Sequence, residues 1–285
     1  MNPIEDIREK PVIGHEDVVG LNFICPSGRF VFRRHYKNGL RSHVMEVLCR
    51  EAVSRETSGV RVDGILRFPR AVPVKMLRIF RHKFRRLDEA FQETRRLREV
   101  ERYLTRRYLA RSEEFLVDYQ SPAGPDVLLC GLQDFVEGFE LNPWLPPGGD
   151  MFRRCHGEDA ARIFRVFQNR LGDFVVRVKR MAREVALLPD LAGQGNLLVT
   201  SEGAVTLVDI NNISRVRPGD AIALDDKGYP VCDKSVEALA LMETIATGTE
   251  PDRSDALYGA FLTPERKERV QVLDRRFHRK LSSNS

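Results

Sequence analysis

LLPDLAGQGNLLVTSEGAVTLVDINNIS, residues 187–214, is the stretch on which the reading of this chain turns. Asn196 and Asp209 stand thirteen residues apart, each at the edge of a short apolar run. Leu197-Leu198-Val199 follows the asparagine, Val205 to Val208 precede the aspartate, and Ser201-Glu202-Gly203 between them is a turn signal. The pattern predicts a β-hairpin that sets an amide oxygen and a carboxylate side by side at its open end. Mg2+ takes oxygen ligands, usually one or two side chains plus substrate phosphates. Asn196 and Asp209 therefore read as metal ligands of a nucleotide site. A strand-end turn cap is the plainer reading of Asp209, but a carboxylate at the end of a buried strand is costly to leave unpaired.

The same stretch resembles the catalytic and metal-binding segments of the protein-kinase-like superfamily, which includes protein kinases, aminoglycoside phosphotransferases and other bacterial small-molecule kinases. Asp190-Leu191…Asn196 resembles the catalytic loop, and Val208-Asp209-Ile210-Asn211 resembles the Asp-Phe-Gly metal segment. There are departures. Leu188-Pro189 stands where a His is usual, and Asp190 lies six residues before Asn196 where the family has five. Asn211-Asn212 replaces Phe-Gly, and no glycine-rich GxGxxG phosphate loop occurs.

The resemblance implies ATP and Mg2+ as cofactors, with Asp190 as the base or aligner for an acceptor hydroxyl. It also implies that Lys75, in VPVKMLRIF, pairs the ATP phosphates and a helix carboxylate; Lys83 and Lys37 are its competitors. Glu93 is the expected partner carboxylate, with Glu99 as the alternative. Gln133 to Gly138 resembles the hinge that binds adenine, which makes Gln133, Phe135 and Glu137 candidate nucleotide contacts.

Composition bounds the rest. The chain has 285 residues, 42% of them hydrophobic, and a mean hydropathy of −0.34. No apolar run is long enough to cross a bilayer as a helix, and the first residues lack the apolar core of a secretory signal. Five scattered cysteines (25, 49, 130, 155, 232) form no CxxC pair, so neither a zinc site nor a disulfide framework is expected. These features suit a cytoplasmic protein. The net charge is +5, with arginines dense over residues 67–111. Glutamates interleave with them at helical spacing, as on a solvated face. The sharper reading is a surface for an anionic acceptor or a peripheral contact with an anionic membrane. No DNA- or RNA-binding motif is present.

Along the chain, residues 18–36 read as a strand pair, 42–54 as a helix capped by Ser42, and 59–68 and 71–80 as two strands around Phe-Pro-Arg. A long helix follows over 86–110, then strands over 114–118 and 127–132, and a Pro/Gly-rich boundary at NPWLPPGGD. Helices are predicted over 151–187, 233–247 (capped by Asp233 or Ser235) and 264–280. The fold class expected is α+β and bilobal kinase-like. A β-rich N-terminal lobe with one long helix (1–136) would precede a mainly helical C-terminal lobe carrying the catalytic hairpin (137–285). The function expected is phosphotransfer to an unidentified hydroxyl acceptor, a small molecule, sugar or lipid-sugar rather than a protein. The alternative is a pseudokinase, a nucleotide-binding or regulatory scaffold.

Overall fold

The computed structural model describes residues 5–24, 28–35, 41–145, 152 and 157–283. Cys25, Lys37, Cys155, His156 and the Pro146 to Asp150 part of the Pro/Gly-rich boundary lie outside them. The chain forms two compact units, Met1–Arg95 with Ala110–Phe135, and Arg96–Leu109 with Val136–Ser285.

The N-terminal unit is built on a five-stranded antiparallel sheet, in the order β1-β2-β5-β7-β6. Its strands are β1 (Phe30–Arg34), β2 (Ser42–Cys49), β5 (Lys75–Phe80), β6 (Ser112–Ser121) and β7 (Gly124–Asp134). Helix α2 (Arg50–Ser58) and a separate hairpin of β3 (Val60–Val62) and β4 (Ile65–Arg67) are inserted between β2 and β5. Helix α3 (Leu87–Tyr108) lies between β5 and β6 in sequence.

Side chains alternate across a strand, so the register sorts the sheet into two faces. Phe32, Met45, Val47, Leu77, Ile79, Val117, Leu128 and Cys130 form an apolar face, which Ile7, Ile13, Val18 and Leu21 cover. The covering segment is pinned by its backbone. The Ile7 N–H donates to Tyr119 Oη at 3.0 Å, and His43 Nε2 meets the Ile7 carbonyl at 2.9 Å. Arg8 ties it further, pairing with Asp6 at 2.8 Å and Asp126 at 2.6 Å. The opposite face mixes buried apolar residues such as Leu48, Met76 and Phe80 with a polar cluster. Buried Glu46 accepts from Arg33 Nε at 2.7 Å, and buried Arg78 donates to Glu114 at 2.9 Å and Ser112 at 2.8 Å.

Three local expectations are corrected in this unit. Residues 42–49 are strand β2 and the helix begins only at Arg50. β2 is buried on both faces, and a strand buried on both sides loses the period-2 signal that separates it from a helix. Val18 and Val19 close a short helix, α1 (His15–Val19), followed by turns rather than a strand. Residues 59–68 fold back on themselves at Asp63-Gly64 instead of running as one strand.

The C-terminal unit is mainly helical. Its elements are the last turns of α3, β8 (Phe139–Glu140), α4 (Ala160–Val185), β9 (Leu187–Pro189), β10 (Leu197–Val199), β11 (Val205–Leu207), β12 (Ile213–Arg215), α5 (Val231–Thr247), α6 (Ala256–Phe261) and α7 (Pro264–Ser283). In α4 the buried residues Ile163, Phe167, Leu171, Phe174, Val178 and Met181 recur every three or four positions, which gives one apolar stripe. That stripe shares a core with Leu97, Val100, Leu104 and Tyr108 of α3 and Val236, Leu239 and Met242 of α5. Polar ties fix the helix register: Tyr108 Oη donates to Asp173 at 2.7 Å, and Lys179 pairs with Asp255 at 2.8 Å.

Helix α5 begins at Val231, so Asp233 and Ser235 are not its caps. Both are buried inside its first turns: Asp233 pairs with Arg266, and Ser235 reaches Leu191. The fold is thus α+β, a β-sheet N-terminal part followed by a helical part that carries a hairpin.

The hairpin turn gives a direct test of this packing. Gly203 has φ +76°, and a Cβ there would lie 2.9 Å from the Ile163 carbonyl of α4. Gly203→Ala therefore combines a left-handed backbone with a steric clash. It should lower unfolding stability by about 2 kcal/mol in a urea titration; an unchanged midpoint would show that the hairpin does not sit against α4.

Candidate active site

Two short antiparallel pairings thread the decisive stretch. β10 and β11 pair Leu197 with Leu207 and Val199 with Val205, and the Val208 N–H donates to the Asn196 carbonyl at 2.8 Å. The hairpin read from the sequence is present, with Asn196 and Asp209 at its open end. The second pairing joins β9 to β12, Ile213 opposite Pro189 and Arg215 opposite Leu187. The chain therefore leaves one strand at Asp190 and enters the other just after Asn212.

The residues between the strands close on one another. Asp190 Oδ1 accepts from the Ala192 and Gly193 N–H groups at 3.0 and 2.9 Å, and its Oδ2 accepts from Asn212 Nδ2 at 3.2 Å. Asn196 Nδ2 donates to the Asp190 carbonyl at 2.9 Å. That contact requires glycine at 193, where a Cβ would fall 2.3 Å from Asn196 Nδ2. Two further residues hold the loop from outside. The Leu191 N–H donates to Ser235 Oγ of α5 at 3.1 Å, and the Gly195 N–H donates to Glu140 Oε1 at 2.6 Å. The sequence carries no local sign of either tie, because each spans more than forty positions and is created by the fold.

Burial, with the nearby negative charge of Asp209 as the next cause, pushes the Asp190 carboxyl up from 3.8 to about 6. Its hydrogen-bond donors only partly offset this, since all three are neutral. Asp209 Oδ1 accepts the Asn211 N–H at 3.0 Å. Among the described residues no three His, Cys, Asp or Glu side chains cluster as a complete metal cage. The oxygens on offer are instead those of Asp209 and Asn196, with the Asn196 amide nitrogen already engaged. A hard cation completed by phosphate oxygens suits that donor set.

The N-terminal unit holds the other candidates. Lys75 opens β5 and forms an ion pair with its cross-strand neighbour Asp134, on the face of Leu77 and Ile79. Glu93 is partly buried on α3. Of the competitors, Lys83 pairs with Asp6 at 3.1 Å, and Glu99 lies 3.6 Å from Arg102. Gln133 is buried in β7 opposite Met76 and Ser112, and Phe135 follows the strand half-buried. In the C-terminal unit Glu137 is exposed. Strand alternation places Arg78 on the opposite face from Lys75, so the buried cation of β5 is an arginine that the lysine-centred reading passed over.

No family model matches the chain, and no curated protein matches it. Among solved structures the chain is similar to the ROP18 kinase domain in complex with AMP-PNP and sucrose. The identity is 12%, over 86% of this chain and 73% of that one, with a TM-score of 0.36. So loose a likeness carries no argument about the site, which rests on its own geometry. No helix among the described residues is long and apolar enough to cross a membrane.

The raised Asp190 pKa has a measurable consequence. The native state holds this proton more tightly than the unfolded chain, so stability falls as pH rises from about 4 to about 6, by up to about 3 kcal/mol. Asp190→Asn removes the charge with little change of shape. In divalent-free buffer the variant should gain stability relative to wild type between pH 4 and pH 8 by about that amount. A pH-independent difference would mean that Asp190 is an ordinary solvated carboxylate.

Proposed function

We propose that the chain is an ATP- and Mg2+-dependent phosphotransferase of the protein-kinase-like type, acting on a hydroxyl acceptor. The observation that carries the reading is the hairpin that sets Asn196 and Asp209 at its open end, with the Asn196 amide clasping the Asp190 carbonyl. Asp209 and Asn196 would hold Mg2+, which supplies charge neutralisation at the ATP phosphates. Asp190 would orient the acceptor hydroxyl and take its proton as the oxygen attacks the γ-phosphorus and the bond to the β-phosphate oxygen breaks, releasing ADP. Positioning and charge supply most of the acceleration in such reactions, so few reactive groups are needed. Lys75 would serve the phosphates by exchanging Asp134 for them. Gln133, Phe135 and Glu137 would border the adenine, and Glu93 remains the candidate acidic partner. A small hydroxylated acceptor, a sugar or lipid-sugar, suits a chain with no protein-kinase activation motif; the arginine content favours an anionic one. A cytoplasmic setting is proposed with it.

The commitment of Lys75 to Asp134 favours a second reading, a pseudokinase that binds nucleotide without turnover. One experiment orders the two. Millimolar ATP with Mg2+ should raise the melting temperature of the wild type by several degrees through mass action, and Asp209→Ala should abolish the Mg2+-dependent part. ADP release on screening sugar acceptors then separates enzyme from pseudokinase. No shift with any nucleotide would end both readings.

A further inference from the structure

The β3–β4 hairpin is the least buried ordered part of the N-terminal unit. Every residue from 61 to 70 is exposed. Among them are Val62, Ile65, Leu66 and Phe68, with 43, 67, 48 and 60% of their surfaces open to solvent. Apolar side chains clustered in this way on a soluble surface mark a contact that is still to be made. The hairpin is preformed rather than loose. Val60–Arg67, Arg61–Leu66 and Val62–Ile65 are in register, and Asp63 and Gly64 take φ 51° and 80°, as a tight two-residue hairpin turn requires. Leu66 also closes over Gly59, where a Cβ would lie 2.8 Å from Leu66 Cδ1.

The charge around these residues points to the occupant. Arg61, Arg67 and Arg70 flank the apolar side chains, and Asp63 is the one acid between residues 57 and 74. Arg61 reaches only the Gly64 carbonyl, at 3.2 Å, and Arg70 comes no closer than 3.9 Å to Glu46. Arg67 makes no ion pair among the described residues. Both faces of the hairpin are alike. The register puts Val62 and Ile65 on one face with Arg67, and Leu66 on the other with Arg61. A protein surface would cover one of these faces. A fluid interface can take up both, with apolar side chains entering the acyl boundary and guanidinium groups meeting phosphates. Asp63 at the tip holds the turn at headgroup level, so the strands lie along the boundary.

We propose that the β3–β4 hairpin is a docking element for a lipid bilayer bearing anionic phosphate headgroups. The arrangement is independent of the nucleotide reading, since it needs neither ATP nor the Asp190 loop.

The test is co-sedimentation of the full chain with phosphatidylcholine vesicles, with and without phosphatidylglycerol. The protein should pellet with the anionic vesicles only, and less as salt is raised. Arg61→Gln with Arg67→Gln should weaken binding about 25-fold, since each arginine near such a surface contributes about fivefold. Ile65→Ser with Phe68→Ser should weaken it by at least about tenfold. Melting temperatures of both double variants should stay unchanged, because the replaced side chains are exposed. Failure of the wild type to bind anionic vesicles would overturn the proposal. So would equal binding by both variants, which would move the contact to another arginine-rich surface. A wild-type dimer in solution that the serine variant abolishes, without any vesicle binding, would replace the bilayer by a second copy of the chain.

Discussion

Two carboxylates held near enough to repel are the constraint around which the stretch from Asp190 to Asp209 is organised. Asp190 and Asp209 lie nineteen positions apart in the chain, and an unfolded segment would let them separate. Two ladders of three residue pairs each, β10–β11 and β9–β12, prevent this. Ladders that short are marginal alone, so their stability comes from buried neighbours such as Leu188, Leu197, Val199, Val205 and Leu207 in the helical core. The donors around Asp190 are backbone N–H groups and one amide, which orient the carboxylate without cancelling its charge. Packing, rather than a compensating charge, holds the Asp190 carboxylate in place.

The hairpin of β10 and β11 was legible in the sequence because its cause is local. Two apolar runs of strand length and a Ser-Glu-Gly turn specify a hairpin wherever the runs can be buried, and α4 buries them. Helices α3 and α4 were legible for a similar reason, each presenting an apolar stripe at helical spacing. Strand β2 was not. Its residues are buried on both faces, and SHVMEVLC then offers no alternation to read. The start of α5 also eluded a capping argument, because Asp233 and Ser235 are engaged by Arg266 and Leu191 from distant parts of the chain.

The candidate site divides along the same line. Asn196 and Asp209 could be read from spacing, since the hairpin between them fixes their separation. Lys75 was read by likeness of a short strand, and likeness could not show which face it would occupy or that Asp134 would stand opposite. The polar cluster on the other face of the same sheet, with Glu46 and Arg78 buried and Glu114 partly buried, follows only from a register that joins strands far apart in sequence. Ser235 and Glu140 belong to this class too: ordinary residues to which the fold gives positions beside the Asp190–Asn196 loop.

The segment around Ile7 bears on the order in which the protein can assemble. Its backbone is fastened to Tyr119, 112 residues further on, and Arg8 to Asp126 beyond that. On a ribosome adding roughly 5–20 residues per second, Ile7, Ile13 and Val18 leave the exit tunnel several seconds before β6 and β7 exist to receive them. During that interval the apolar face of β1, β2 and β5 is uncovered as well. The N-terminal unit thus closes late in its own synthesis, and a nascent chain stalled before Tyr119 presents both halves of an unmade core to whatever chaperone attends it.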